Sequence, residues 1–343
     1  MQFDIALIGF GTVGRGFVEL LIEKKALLKE YYGIEWRITA ISDLKLGSII
    51  NSKGIDAKEA LRLADTGRSL ENLSVEKRGL SSLEVIRESS SNLLVEVTWT
   101  NLENGEPGYS HVKEALNLGK DVITTNKGPV ALYYRELKEL AKKRGAFFKF
   151  KGTVMSGTPS FNLIEGPLAG CYIESIRGIL NGTTNFILSE MERGMSYEEA
   201  LREAQRLGYA EADPTMDVEG LDAVAKLAIL CNVIFDLDLK PKEIPRRGIS
   251  SITLEDVKES LSKGKRIKLI ARAEKIEGKL IAEVKPIKLS LTDPLANIMG
   301  VMNAINFKTD CLGEITVIGP GAGRRATGYA ILSDMINIAM NRR

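Results

Sequence analysis

Phe3-Asp-Ile-Ala-Leu-Ile-Gly9-Phe-Gly11-Thr-Val-Gly14 runs a short apolar segment into three glycines spaced G-x-G-x-x-G. A helical pattern follows over residues 12–31, with Phe17, Leu20, Leu21, Leu27 and Leu28 as its apolar stripe. In a strand–glycine turn–helix unit, backbone N–H groups at the helix start can approach a pyrophosphate closely. Gly9, Gly11, Thr12, Val13 and Gly14 are therefore candidate cofactor contacts. A strand–helix turn that binds nothing can carry the same glycines, so the rest of the chain has to decide between the two.

Outward from that turn, strands and helices alternate. Residues 36–42, 92–98, 121–125 and 146–150 read as strands, and 57–64, 81–87, 107–118 and 130–144 as helices. The expected class is α/β, with a Rossmann-type doubly wound, mostly parallel sheet. After Lys151 the texture changes. A helix is expected from Gly157 to about Leu168, a strand over 173–180, a polar turn over 181–185 and a helix over 186–193. Ser196 caps a helix reaching about Leu207, and another helix begins at Thr253 or Leu254. Residues 265–274, 279–286 and 307–318 read as strands, and one long helix runs from Gly321 to about Asn341. This gives a dinucleotide-binding domain over 1–150, an inserted α+β domain over 151–318, and a C-terminal helix over 319–343 that returns to the first domain.

Composition narrows the function. With 343 residues the chain exceeds what one core usually holds. A net charge of +2, without aromatic–basic interleaving, dedicates no face to nucleic acid. The first residues read as a strand and not a signal peptide, and no apolar run approaches the ~20 residues that span a bilayer. Cys171, Cys231 and Cys311 lie far apart and show neither a disulfide framework nor a metal-ligand spacing, which points to a reducing compartment, the cytoplasm. The sole histidine, His111, falls in the 107–118 helix and reads as a structural or surface residue, which leaves acid–base work to lysine and carboxylates.

Their densest cluster is Tyr209-Ala-Glu-Ala-Asp-Pro-Thr-Met-Asp-Val-Glu-Gly-Leu-Asp-Ala-Val-Ala-Lys226. Glu211, Asp213, Asp217, Glu219 and Asp222 precede a helix whose only charge after Asp222 is Lys226. A helix apolar nearly all round is usually buried, and a lysine within it needs a partner. Asp222 lies four residues earlier on the same face. A buried ammonium among carboxylates suits an amine substrate and a proton-transferring lysine. An ordinary helix ion pair with a snorkelling lysine is the plainer alternative.

Loops at strand ends supply further candidates, because ligands of open α/β sheets bind outside the carboxyl ends of the strands. Asp43 can hold a ribose diol, whereas Lys45 or Lys53 can hold a 2′-phosphate. Thr98, Thr100 and Asn101 follow the 92–98 strand, and Lys127 follows the next one. Gly319-Pro-Gly-Ala-Gly323 resembles a second glycine cradle before the last helix.

Taken together, these blocks resemble the homoserine dehydrogenase family across essentially the whole chain. The resemblance rests on Gly9-Phe-Gly-Thr-Val-Gly14, Asn104-Gly-Glu-Pro107, Thr124-Thr-Asn-Lys-Gly128 and Gly152-Thr-Val-Met-Ser-Gly157. It continues through Ile179-Leu-Asn-Gly-Thr-Thr-Asn-Phe186, Gly208-Tyr-Ala-Glu-Ala-Asp-Pro214, Gly220-Leu-Asp-Ala-Val-Ala-Lys226 and Gly319-Pro-Gly-Ala-Gly323. It implies reversible oxidation of L-homoserine to L-aspartate 4-semialdehyde with NAD or NADP, on the route to threonine and methionine. It implies Lys127 and Lys226 as the catalytic lysines, and Gly182, Thr183, Tyr209, Glu211, Asp217 and Asp222 around the substrate. Gly323 and Thr327 join the cofactor contacts, and the 151–318 domain binds substrate and forms a homodimer. Many relatives coordinate a monovalent cation through backbone near Val154, Met155 and Gly157, preceded by a glutamate where this chain has Lys151; that lysine argues against the site. Ala326 stands where many relatives have proline. Neither a C-terminal ACT regulatory domain nor a fused kinase is expected. A free lysine, with a pKa of about 10.4, is a poor base, but burial and a second cation both favour the neutral amine. On this argument Lys226 is the general base and acid and Lys127 its partner.

Two other readings compete. A semialdehyde reductase of the same architecture needs an acylating cysteine with a histidine partner, and none of the three cysteines lies in a glycine-rich loop. A non-catalytic dinucleotide sensor has no use for Lys127, Lys226 and the acidic stretch together.

Overall fold

Gln2–Ile8 forms β1, whose side chains are buried on both faces. Phe3, Ile5 and Leu7 enter one core, and Ala6 and Ile8 another. Burial on both faces is the environment of a central strand in a sheet covered by helices on each side. In the computed structural model, which describes residues 1–276 and 279–342, the chain continues through α1 (Thr12–Glu23), α2 (Lys25–Glu30), β2 (Glu35–Asp43) and β3 (Gly47–Ile50). Next come α3 (Ala57–Asp65), β4 (Lys77–Arg78), α4 (Ser82–Glu88), β5 (Leu93–Glu96), α5 (Gly108–Asn117), β6 (Asp121–Thr124), α6 (Lys127–Arg144) and β7 (Phe148–Lys149).

These strands form one seven-stranded sheet in the order β4-β3-β2-β1-β5-β6-β7. The run from β2 to β7 is parallel, and β3 and β4 add an antiparallel edge. Chain order reverses between β2-β1 and β5, which makes the ends of β1 and β5 the switch point where ligands of such sheets bind.

The following segment holds α7 (Phe161–Glu165), β8 (Ile173–Ile179), α8 (Gly182–Glu192), α9 (Tyr197–Arg206), α10 (Thr215–Val218), α11 (Leu221–Phe235) and α12 (Leu254–Ser262). Then come β9 (Lys265–Ile276), β10 (Lys279–Ser290), β11 (Met302–Thr309), β12 (Gly313–Pro320) and α13 (Arg324–Asn341). Strands β10-β9-β8-β11-β12 make an antiparallel sheet that packs against α8, α11 and α12. By contact the chain divides into two units, Met1–Gly157 with Gly323–Arg343, and Thr158–Ala322. The fold is thus the expected α/β arrangement with a mostly parallel sheet and a separate antiparallel domain. Among the described residues no helix is long and apolar enough to cross a membrane.

Within the first unit, α13 lies against α1 where both helices carry glycine. A Cβ at Gly16 would stand 2.2 Å from the Arg324 carbonyl oxygen, and one at Gly328 2.5 Å from the Gly16 carbonyl carbon. The axes approach this closely only because both side chains are missing. Arg324–Glu19 and Arg325–Glu23 pairs flank the crossing.

Several element boundaries differ from expectation. The 12–31 helix breaks at Lys24, between α1 and α2. The expected helix from Gly157 reduces to Phe161–Glu165, because Gly157 is pressed on the Ala326 carbonyl and Thr158 is tied to Pro320. Residues 307–318 are two strands joined by a turn, and the polar turn at 181–185 is the capped start of α8.

Candidate functional site

In the first unit the glycine turn joins β1 to α1. Gly9 has φ +97°, and a Cβ there would meet the Val97 carbonyl oxygen at 2.7 Å. At Gly14 a Cβ would meet the Gly9 oxygen at 2.6 Å, whereas at Gly11 it would meet nothing within 4 Å. Gly9 and Gly14 therefore shape the turn, and Gly11 keeps its outer side open. Gly11 is the N-cap of α1 without a side-chain cap, and the first turn holds no acidic residue. Backbone N–H groups and the positive helix end thus remain available to an anion. This is the cradle a dinucleotide pyrophosphate requires. Thr12 is exposed and Val13 half-buried at its rim.

Asp43, at the end of β2, braces this turn. One carboxylate oxygen accepts the Phe10 N–H at 2.8 Å, and the other accepts those of Lys45 and Leu46 at 2.9 and 3.1 Å. These bonds leave lone pairs for a ribose hydroxyl. Lys45 is exposed beside it.

The loop after β5 is organised by a residue the sequence reading missed. Glu96 is fully buried and accepts both the N–H and the hydroxyl of Thr98, and the Thr124 hydroxyl at 2.9 Å. His111 lies behind it, with Nδ1 3.7 Å from Glu96 and Nε2 2.7 Å from the Ser82 hydroxyl. The histidine is buried in the scaffold, as expected of a structural residue. Asn126 ties this loop to the next: its amide donates to the Trp99 carbonyl at 2.9 Å, and its oxygen caps Gly128 N–H at 3.0 Å. That cap sets Lys127 as the first residue of α6, and its N–H donates to the Thr100 hydroxyl at 3.4 Å. Thr98, Thr100, Asn101 and Lys127 are half-buried at the ends of β5 and β6.

Gly323, with φ +129°, caps α13, and the Thr327 hydroxyl bonds Ser156 at 2.8 Å. The Val154–Gly157 turn is strained, since Met155 and Ser156 adopt φ of 58° and 53°. Beside it Lys151 is buried: its N–H donates to Asp334 and its ammonium to the Ser333 hydroxyl, both at 2.9 Å, over the Tyr329 ring. Burial pulls its pKa below the usual lysine value, opposed by Asp334.

The second unit gathers the other candidates around α8 and α11. Lys226 is 7% exposed, and its ammonium donates to Asp222 at 2.7 Å and to the Leu180 carbonyl at 2.6 Å. Asn181 joins the carboxylates, donating to Asp217 at 2.6 Å and Asp222 at 2.9 Å while its oxygen caps Thr184 N–H. Gly182 begins α8, where a Cβ would stand 2.6 Å from the Val301 carbonyl. The Thr183 hydroxyl donates to the Tyr209 carbonyl at 2.6 Å, and the Tyr209 ring meets Phe186 edge-on.

Lys226, Asp222, Asp217, Thr183, Gly182 and Tyr209 thus form a connected group. Glu211 stays exposed at its margin, where its backbone carbonyl takes the Gln205 amide. Glu219 and Asp213 do other work: Glu219 accepts the Ser250 hydroxyl, and Asp213 caps Thr215. Asn181, the hub of the group, carries no role of its own in the sequence reading, where it falls in the polar turn and in the Ile179–Phe186 block. Its position just before a helix start was the available signal.

Residues 9–151 match the family model described as homoserine dehydrogenase, NAD binding domain, and residues 159–336 match the homoserine dehydrogenase model. An NAD(+)-dependent homoserine dehydrogenase of Pseudomonas canavaninivorans is 42% identical over 338 residues, covering 98% of this chain and 96% of the relative. A homoserine dehydrogenase of Methanocaldococcus jannaschii is 43% identical over 336 residues, covering 98% of each chain. Among solved structures, a hyperthermophilic archaeal homoserine dehydrogenase in complex with NADPH superposes with a TM-score of 0.85 at 34% identity, covering 99% of this chain and 98% of the other. One from Thiobacillus denitrificans gives a TM-score of 0.86 at 32% identity, covering all of this chain and 74% of the other.

Proposed function

The chain belongs to the homoserine dehydrogenase family, and from that premise we infer that it is an NAD(P)-dependent oxidoreductase interconverting L-homoserine and L-aspartate 4-semialdehyde. The observation that carries this reading is the extent of the match. It runs through the glycine cradle in one unit and the Lys226 group in the other. We assign dinucleotide binding to the first unit, and substrate binding and dimerisation to the second.

The cofactor, when bound, takes or returns a hydride at its nicotinamide ring. The chain supplies binding, charge and a proton path. The α1 N-terminus and the open side of Gly11 would receive the pyrophosphate, Asp43 or Lys45 would address the ribose, and Thr98, Thr100, Asn101, Gly323 and Thr327 would line the remainder. Asp217, Asp222 and Glu211 attract the substrate ammonium, with Gly182, Thr183 and Tyr209 shaping the pocket. Lys226 transfers the proton at the substrate oxygen. It donates during aldehyde reduction and accepts during alcohol oxidation, with Asp222 and the Leu180 carbonyl holding its nitrogen in place. Lys127 supplies the second positive charge that stabilises a developing alkoxide. The Lys151 ammonium beside the Val154–Gly157 turn supports a site that needs no bound monovalent cation.

The proposal includes a place in threonine and methionine biosynthesis, and a cytoplasmic address that suits three cysteines without a disulfide spacing. It also includes a homodimer through the second sheet, where Ile281 and Ile318 are half exposed. Light scattering of purified protein reads the dimer. The enzyme reading is tested by following reduced nicotinamide formation with L-homoserine and either cofactor. Absence of a rate with both cofactors overturns it.

A further inference from the structure

Cys171 and Cys311, far apart in sequence, are brought together by the register of the second sheet. Thr309 of β11 pairs with Ile173 of β8. One step outward, the Asp310 N–H donates to the Tyr172 carbonyl at 3.1 Å, and the Tyr172 N–H donates to the Asp310 carboxylate at 2.9 Å. The next residues outward on the two segments are Cys171 and Cys311. Thr309 fixes the turn that carries Cys311: its hydroxyl accepts Leu312 N–H at 3.0 Å and donates to the Gly313 carbonyl at 3.1 Å. The sulfurs of Cys171 and Cys311 and a carboxylate oxygen of Asp310 all lie within 4.8 Å of one another. Cys171 is half-buried, and Asp310 and Cys311 are exposed.

We propose that Cys171, Asp310 and Cys311 form a binding site for a soft divalent cation of the zinc class. Two thiolate sulfurs and one carboxylate oxygen are a donor set that zinc accepts and that hard cations such as magnesium and calcium do not favour. Three protein ligands leave the fourth tetrahedral position to water. The cation displaces the two thiol protons to solvent, and nothing is oxidised or reduced.

Both ligating sulfurs must lose a proton to bind, so binding tightens as pH rises. Once bound, the cation ties the segment entering β8 to the turn between β11 and β12. The site is independent of the hydride-transfer assignment.

Tag-free protein, fully reduced with a phosphine, is dialysed against zinc, and cobalt is added in parallel as a spectroscopic probe. One zinc per chain and a thiolate-to-cobalt charge-transfer band are expected, both retained in Cys231→Ser. Cys171→Ser and Cys311→Ser each lower affinity by more than about a hundredfold and abolish the band. Asp310→Asn keeps the band and lowers affinity about tenfold. Circular dichroism of each variant confirms the fold. Three results overturn the assignment: no zinc bound by reduced wild type, zinc binding that survives both serine substitutions, or a Cys171–Cys311 disulfide on air exposure in a protein whose reduced form gives no cobalt band.

Discussion

Lys226 and Asp222 show how a single buried charge is made tolerable. Each side chain is largely withdrawn from water, and the pair is closed by the Leu180 carbonyl and by Asn181. Removing one member of a buried ion pair leaves the other without compensation. Asp222→Asn is therefore expected to cost about 3 kcal/mol of stability, read as a lowered urea midpoint, and to raise KM for homoserine. Lys226→Ala is expected to lower turnover by about 10²- to 10⁴-fold at saturating substrate, the range of a lost general acid. Near-normal turnover in Lys226→Ala beside an inactive Lys127→Ala would reverse the division of labour between the lysines. At the cofactor end, the charge proposed to meet a 2′-phosphate is that of Asp43. Asp43→Asn keeps an acceptor for the turn and removes that charge. Its ratio of kcat/KM for NAD over NADP is expected to fall roughly tenfold, equivalent to about 1.4 kcal/mol of differential binding. An unchanged ratio would remove Asp43 from cofactor discrimination.

The unit made by β1, the glycine turn and α1 separates two duties of glycine that look identical as letters. Gly14→Ala forces a Cβ against the Gly9 carbonyl oxygen, so the turn must open and the melting temperature must fall. Gly11→Ala meets nothing within 4 Å at an ordinary backbone angle. It is expected to leave the melting temperature unchanged while weakening cofactor binding at least tenfold, because the methyl occupies space assigned to the pyrophosphate. Tight binding to Gly11→Ala, measured by titration calorimetry, would place the pyrophosphate elsewhere. This unit was legible in sequence because strand, turn and helix are contiguous and each carries a local signal. Similar reasons made α3, α9 and α12 readable, since Asp56, Ser196 and Thr253 cap them with side-chain hydrogen bonds. What was missed depends on distant partners. The edge strand β3 is four residues that gain strand character only by pairing with β2. Residues 157–160 look like a helix start until Ala326 and Pro320, from the far end of the chain, hold Gly157 and Thr158 in place. Glu96 and the Cys171–Asp310–Cys311 group acquire meaning from side-chain geometry that no spacing in the sequence encodes. The proposed cation site in particular rests on a proximity that the sequence spacing of the cysteines does not show.

At the scale of the whole molecule, each unit has its own buried core and, besides Lys151 and Lys226, a buried lysine with a strongly lowered pKa. Lys120, in the first unit, is ringed by the Ile86 and Ser89 carbonyls and the Ser89 and Ser91 hydroxyls, without a carboxylate. Lys268, in the second, donates to Asn185 and the Ile298 carbonyl. Burial lowers both pKa values from 10.5 to about 8, with Glu192 partly offsetting the effect at Lys268. The sign of the linkage follows. Below about pH 8 both lysines are charged whether folded or unfolded, and the desolvation penalty is present in full. Between about pH 8 and pH 10.5 the unfolded chain binds more protons, so stability rises with pH. Each lysine contributes on the order of 2 kcal/mol to that rise. Both tryptophans, Trp36 and Trp99, lie in the first unit, so their fluorescence follows its unfolding alone. The urea midpoint read by fluorescence is expected to climb from pH 8 to pH 10, and Lys120→Met to flatten that climb. Lys268→Met is expected to leave it in place and to flatten instead the pH dependence of hydrogen-exchange protection in β9 and β11. Equal flattening of the tryptophan signal by both substitutions would show that the two units unfold as one.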